Sequence, residues 1–203
     1  RRVQRYEYPI PGSSNIVTLL DTPGYDEADV TKKQLQEITT ASEAADLLLL
    51  VMAANGSARQ ADLAMVKQLD QHYRDRPHLK PPVIVVVLTH IDLLRPVREW
   101  SPPYNWRNPH SLKEQSIAGA VDYIRELFGD RISGYACVHT GNTHASDSSV
   151  LDELVPQIVQ HLGQGKAAAI LKAFYKQLGS QRLQRLLKQT LGLLKNFSLH
   201  SGS

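Results

Sequence analysis

A single cysteine, Cys137, in a chain of 203 residues rules out an intrachain disulfide framework and fits a reducing compartment. Long apolar runs are absent as well. The longest, Leu47 to Ala54 and Val83 to Leu88, are of strand length, far short of the roughly 18 residues a membrane-spanning helix needs. The eight histidines show no spacing typical of zinc, so no structural zinc site is expected. There is neither an initiator Met nor an apolar leader. The sequence opens at Arg1 on an alternating stretch and reads as the middle of a domain with something upstream missing. A cytoplasmic protein is expected, with peripheral membrane contact as a further option.

What is present is enough for one globular domain: 42% hydrophobic residues and 21% charged ones exclude fibrous and fully disordered chains. Charge is unevenly spread. Of the 23 Lys and Arg, seven lie between Lys166 and Ser203 with no acid among them, and the 20 acids leave the remainder net acidic. The basic tail is therefore a candidate for an anionic partner, and its bland alternative is a solvated helix face.

Residues 1 to 8 alternate around Val3, Tyr6 and Tyr8, a Pro11-Gly12-Ser13-Ser14-Asn15 turn follows, and Ile16 to Leu20 is apolar: a hairpin. Downstream, near-continuous apolar strands at 46–54 and 82–89 and a weaker one at 135–139 alternate with helical patterns at 31–45, 58–73, 117–128 and 151–162. This predicts an α/β fold with a mostly parallel sheet covered on both faces and an antiparallel hairpin at one edge. Residues 95 to 110 hold four prolines, Trp100, Tyr104 and Trp106 and must form a loop. Its aromatics either anchor a protein partner or pack onto the body. The tail carries two leucine-rich helical stripes separated by Gly179 and Ser180, and it gives a division into 1–163 and a basic amphipathic helical extension at 164–203.

Two motifs carry chemistry. Asp21-Thr22-Pro23-Gly24 directly follows the second hairpin strand. Ligands of open α/β sheets sit beyond the carboxyl ends of strands, where an Asp can hold hydrated Mg²⁺ and a glycine N–H can approach a phosphate oxygen. The second motif, Thr89-His90-Ile91-Asp92, ends a later strand. Either Asp alone would pass for a turn or cap residue.

Taken in order, the two motifs resemble those of the P-loop GTPases, whose Asp-x-x-Gly and [Asn/Thr]-Lys-x-Asp stretches end successive strands. The resemblance covers residues 1 to 163 and implies a three-layer P-loop NTPase-type sheet. It also implies GTP or GDP as ligand, Mg²⁺ as metal and a switch function of the Era-like group. Asp92 would accept the guanine N1–H and N2–H, which adenine lacks. Thr89 and His90 would line the base pocket, with His90 stacking in place of the family's lysine or lying at the surface. Val138-His139-Thr140-Gly141 matches the turn that contacts the guanine O6, which brings in His139, Thr140 and Gly141. Asp21 would hold Mg²⁺ through water, with Thr22, Pro23 and Gly24 at the γ-phosphate. The apolar Tyr25 is most like the Era, TrmE and EngA relatives and stands where Ras-like members carry the water-orienting glutamine. Hydrolysis would then be assisted from elsewhere, and no catalytic residue is assigned.

No GxxxxGK[ST] stretch precedes the hairpin. Gly163-Gln164-Gly165-Lys166-Ala167 follows a helix, lacks the first glycine and ends without a hydroxyl, so it reads as a linker. In the family's strand order the absent first strand would lie between the strand ending at Leu20 and the one near Asp46. GTP hydrolysis is thus expected of an intact parent that supplies the phosphate loop. The alternative is a degenerate pseudo-GTPase, a nucleotide-free module engaging protein, membrane or RNA. The tail would reach a membrane surface or ribosomal RNA, the 100–106 loop a protein partner, and a homodimer is a further option.

Overall fold

The computed structural model describes residues 3–10, 14, 16–24, 32–99, 101–139, 150–163, 166, 167 and 170. Strands β1 (Gln4–Pro9) and β2 (Ile16–Asp21) pair antiparallel, with Gln4 opposite Asp21 and Pro9 opposite Ile16. Helix α1 (Lys32–Glu43), strand β3 (Leu47–Ala53), helix α2 (Gln60–Arg74) and strand β4 (Val83–Thr89) follow. A 3-10 turn (Ile91–Leu93) and the long loop lead to helix α3 (Leu112–Phe128) and strand β5 (Gly134–Cys137). The last described elements are a π-helical turn, Val150–Leu154, and helix α4 (Val155–His161).

The sheet β3-β4-β5 is parallel throughout, as its near-continuous Leu and Val runs require. Register sorts its side chains. Leu48, Leu50 and Met52 of β3 lie beside Ile84, Val86 and Leu88 of β4 on one face. There α2 contributes Val66 and α3 contributes Ile117, Val121, Ile124 and Phe128 to one continuous core. On the opposite face Val85 and Val87 lie beside Gly134 and Ala136, against which α4 packs. Gly134 is small for a reason: a Cβ there would come within 2.3 Å of Gln157 Oε1 and 2.8 Å of His161 Nε2 on α4. α4 covers β4 and β5 and leaves Val51 of β3 58% exposed. Helix α1 packs on α2 through Ile38, Met65, Leu69 and Tyr73, and a buried hydrogen bond of 2.9 Å joins Ser42 Oγ to Tyr73 Oη.

The α/β class and the helix–strand alternation are as expected from the sequence. The hairpin is a sheet of its own and is not hydrogen-bonded to the parallel one. The slot anticipated between β2 and β3 is thus seen as a break between two sheets. Among the described residues the hairpin's alternation buries neither face, and Tyr6, Tyr8, Ile16 and Leu19 are each more than 40% exposed.

The 95–110 loop packs its rings inward. Trp106 is 7% exposed within the main core. Tyr104 Oη accepts from Ser101 N and donates to Glu99 O. The loop's self-packing reading therefore holds for these two rings, while Trp100 lies outside the described residues. Ser111 then caps α3 in a capping box with Glu114, whose carboxylate accepts from the backbone N–H groups of Asn105, His110 and Ser111. Those three donors hold the Glu114 carboxyl below its ordinary 4.5. Because the folded value is depressed, its stabilisation is complete above pH 4.5 and fades as the pH falls below that value. Glu114→Gln is expected to lower the urea midpoint at pH 7, and the gap from the parent should narrow as the pH falls below 4.5.

Cys137 is a buried core residue, 1% exposed, and burial pushes its thiol well up, so it is neutral and inert at physiological pH. The start of the tail docks on the body: Ala167 packs on Val155 and Val159, and Lys166 pairs with Asp46. The rest of the extension, on which the anionic-partner expectation rests, lies outside the described residues apart from 170. Among the described residues no helix is long and apolar enough to cross a membrane.

Candidate functional site

Strand β4 is buried from Ile84 to Leu88 and delivers Thr89 to the carboxyl edge of the sheet. Thr89 ties that edge together. Its backbone oxygen accepts from Ala54 N at 2.8 Å, and its hydroxyl donates to Met52 O at 3.3 Å. Parallel pairing ends here, and the chain must turn sharply to enter the 3-10 segment.

His90 makes that turn, in the left-handed region at φ 57°, ψ 33°, which few non-glycine residues adopt. Its exposed ring lies with Nδ1 2.9 Å from Thr89 Oγ1. Next, Ile91 inserts into the core, 4% exposed, and pins the following residue. Asp92 is thereby held at the rim with its side chain 25% exposed. One carboxylate oxygen, Oδ1, is buried and has no hydrogen-bond partner among the described residues.

Strand β5 supplies the facing wall. Val138 N donates to Leu88 O at 2.8 Å, extending the pairing by one residue and placing His139 beside Asp92. The His139 side chain is 3% exposed, with Nε2 4.0 Å from Asp92 Oδ1. At that separation the pair attracts without a hydrogen bond between them. A carboxylate acceptor removed from water without a donor is costly, and native structures rarely leave one unless a water, an ion or a ligand supplies the missing partner. The arrangement is suited to taking N–H groups from a flat polar molecule.

Of the residues singled out in the sequence, Thr89, His90, Asp92 and His139 therefore come together at one edge. Thr140 and Gly141 lie outside the described residues, as does Tyr25. Asp21 ends β2, on the other sheet, and is exposed together with Thr22 and Gly24, while Pro23 is buried. A Cβ at Gly24 would meet nothing within 4 Å, so no neighbour among the described residues demands glycine there.

A single carboxylate at a strand end fits Mg²⁺, which keeps several waters and commonly takes one or two carboxylates plus phosphate oxygens. No group of three or more His, Cys, Asp or Glu is poised to hold a metal among the described residues. Asp21 thus fits a hydrated ion shared with a ligand, and the described residues offer no cage made by protein alone.

Two features escaped sequence reasoning. Glu153, in the π-helical turn, reaches the 95–110 loop. It accepts from Trp106 Nε1 at 3.1 Å and, through both oxygens, from Arg107 Nη1 at 3.1 Å, and the Arg107 guanidinium stacks 4.0 Å from the Trp106 ring centre. Burial raises the Glu153 carboxyl, with Arg107 opposing the rise. These contacts span 46 and 47 residues, so no local pattern signals them. The other feature is Lys113, wholly buried beneath the Asp92 turn. Its signal was available: it precedes Ile117, Val121, Ile124 and Phe128 on the buried stripe of α3, a place where lysine is out of character.

Compared with curated proteins, the chain matches none. Residues 1–90 match the model of a family described as 50S ribosome-binding GTPase, a span that includes Asp21–Gly24, the whole of β4 and the turn residue His90, and this match supports a P-loop GTPase domain.

Proposed function

We propose that the chain forms the greater part of a guanine-nucleotide-binding domain of the Era-like group, a switch whose parent protein hydrolyses GTP to GDP. One observation carries the reading: the buried Oδ1 of Asp92, just past the end of β4, which has no hydrogen-bond partner among the described residues. Guanine offers adjacent N1–H and N2–H donors to such a carboxylate, whereas adenine would leave it unpaired.

In this reading Thr89 and His90 line the base pocket, with the left-handed backbone of His90 presenting its ring to the rim. His139, with Thr140 and Gly141 beyond it, borders the guanine O6. Asp21 holds Mg²⁺ through water, and Thr22, Pro23 and Gly24 border the γ-phosphate. Mg²⁺, when bound, neutralises charge on the phosphates. The domain runs to residue 163, and the basic extension follows it. Residues 1–203 hold no GxxxxGK[ST] stretch, so hydrolysis needs a phosphate loop supplied by additional sequence.

That same lack favours the second reading, a nucleotide-free module that retains the fold and uses its tail to meet an anionic surface such as a membrane or ribosomal RNA. Competition separates the two. Fluorescent GDP with Mg²⁺ should be displaced by GDP and not by ADP. ADP competing equally, or no binding at millimolar nucleotide, would count against the guanine reading.

A further inference from the structure

The ammonium of Lys113 is wholly buried, yet among the described residues no carboxylate lies within an ion-pair distance of it. It donates instead to three backbone carbonyls of one loop: Asp92 O at 2.8 Å, Leu94 O at 2.5 Å and Pro96 O at 3.4 Å. Every second residue from 92 to 96 turns its oxygen inward, so the loop curls around the cation as it would around a bound ion. Packing alone would be served by leucine or methionine at this place, at no cost in desolvation. Burial indeed lowers the Lys113 pKa, opposed by the charges of Asp92 and Glu99.

The loop has little else to hold it. Its own backbone bonds are Leu93 N to His90 O at 3.0 Å, Leu94 N to Ile91 O at 3.3 Å and, at its far end, Glu99 N to Pro96 O at 3.3 Å. Asp92 is thus fixed on one side by Ile91 in the core and on the other by a lysine 21 positions away on α3.

We propose that Lys113 is the positioning residue of the base pocket, its ammonium holding the 92–96 backbone in the course that presents the Asp92 carboxylate to a guanine edge. The inference rests on the guanine reading of Asp92 and adds to it a determinant of base selectivity outside the pocket. Lys113 touches no nucleotide in this scheme, and it acts only through the loop.

The test compares Lys113→Met with the parent in two ways. The first is the ratio of GDP to IDP affinity, since inosine lacks the 2-amino group. The second is amide exchange without nucleotide. The ratio should fall at least tenfold toward unity. Exchange at Leu93 and Leu94 should quicken at least tenfold while Val85 to Leu88 stay protected. Lys113→Arg, which keeps the cation, should restore most of the ratio. A purely structural lysine would lower the melting temperature and leave the ratio unchanged in the folded fraction. If Lys113→Met does not fold, Lys113→Gln, which keeps one donor group, carries the same two measurements. An unchanged ratio with unchanged exchange overturns the inference alone. Asp92→Asn in the parent keeps the two failures apart: if it leaves the GDP preference untouched, the guanine reading falls and takes this inference with it.

Discussion

Asp92→Asn is expected to shift the preference between guanine and xanthine diphosphates by about a hundredfold, toward xanthine, which corresponds to about 3 kcal/mol. The chemistry is a swap of donor and acceptor. Guanine presents two N–H groups to the carboxylate, and an asparagine amide turned the same way offers one acceptor and one donor. Xanthine has a carbonyl where guanine has its amine, and that oxygen can take the amide N–H. The side chain changes little in volume, so the fold is expected to stand. Calorimetric titration of both nucleotides into parent and variant measures the shift. A variant with unaltered preference would mean that Oδ1 faces something other than a base and would favour the nucleotide-free module.

Leu88→Ala should be the most destabilising of the simple truncations, at about 3 kcal/mol. For a chain of this size that lowers the melting temperature by roughly 10 °C. Leu88 has no exposed surface and belongs to the core shared by β3, β4, α2 and α3. It also lies one residue before Thr89, so a cavity there loosens the strand end from which the Asp92 turn departs. Val51→Ala, on the same sheet but 58% exposed, should cost less than about 0.5 kcal/mol. Thermal melts of the two variants would show that the Leu88 face of the sheet is core at this edge and that the Val51 position is not. Equal losses would contradict the layer arrangement described above.

Much of the fold could be read from the chain because buried parallel strands write themselves as unbroken apolar runs. Leu47–Ala53 and Val83–Thr89 are nearly saturated with Leu, Val and Ile, and their ends mark where Thr89 and Asp92 must emerge. The α3 stripe was equally plain. The hairpin's alternation gave its pairing and could not say what, if anything, covers its faces. The π-helical turn at Val150–Leu154 was also invisible, since a wider turn keeps the same apolar spacing for a few residues.

The site divides along the same line. Asp21 and Asp92 were singled out because each stands at a strand end and is read together with its neighbours. His139 was placed to within a residue by the strand preceding it, but its approach to Asp92 depends on β5 pairing with β4, a non-local contact. Lys113 and Glu153 were missed because the groups each one bonds to lie far along the chain. A lysine on an apolar stripe is a mild anomaly by itself. It acquires meaning only once the carbonyls of 92, 94 and 96 converge on it.

The central claim is that the edge formed by Thr89, His90, Asp92 and His139 recognises guanine. The most direct measurement is the amide spectrum of the isotope-labelled chain titrated with GDP and, separately, with ADP to the same millimolar concentration in the presence of Mg²⁺. GDP should move the signals of Thr89 to Leu94 and of His139 and leave those of α1 and the far end of α3 in place, while ADP leaves the Asp92 turn unmoved. Equal shifts with both nucleotides, or shifts confined to surfaces away from that edge, would contradict the account.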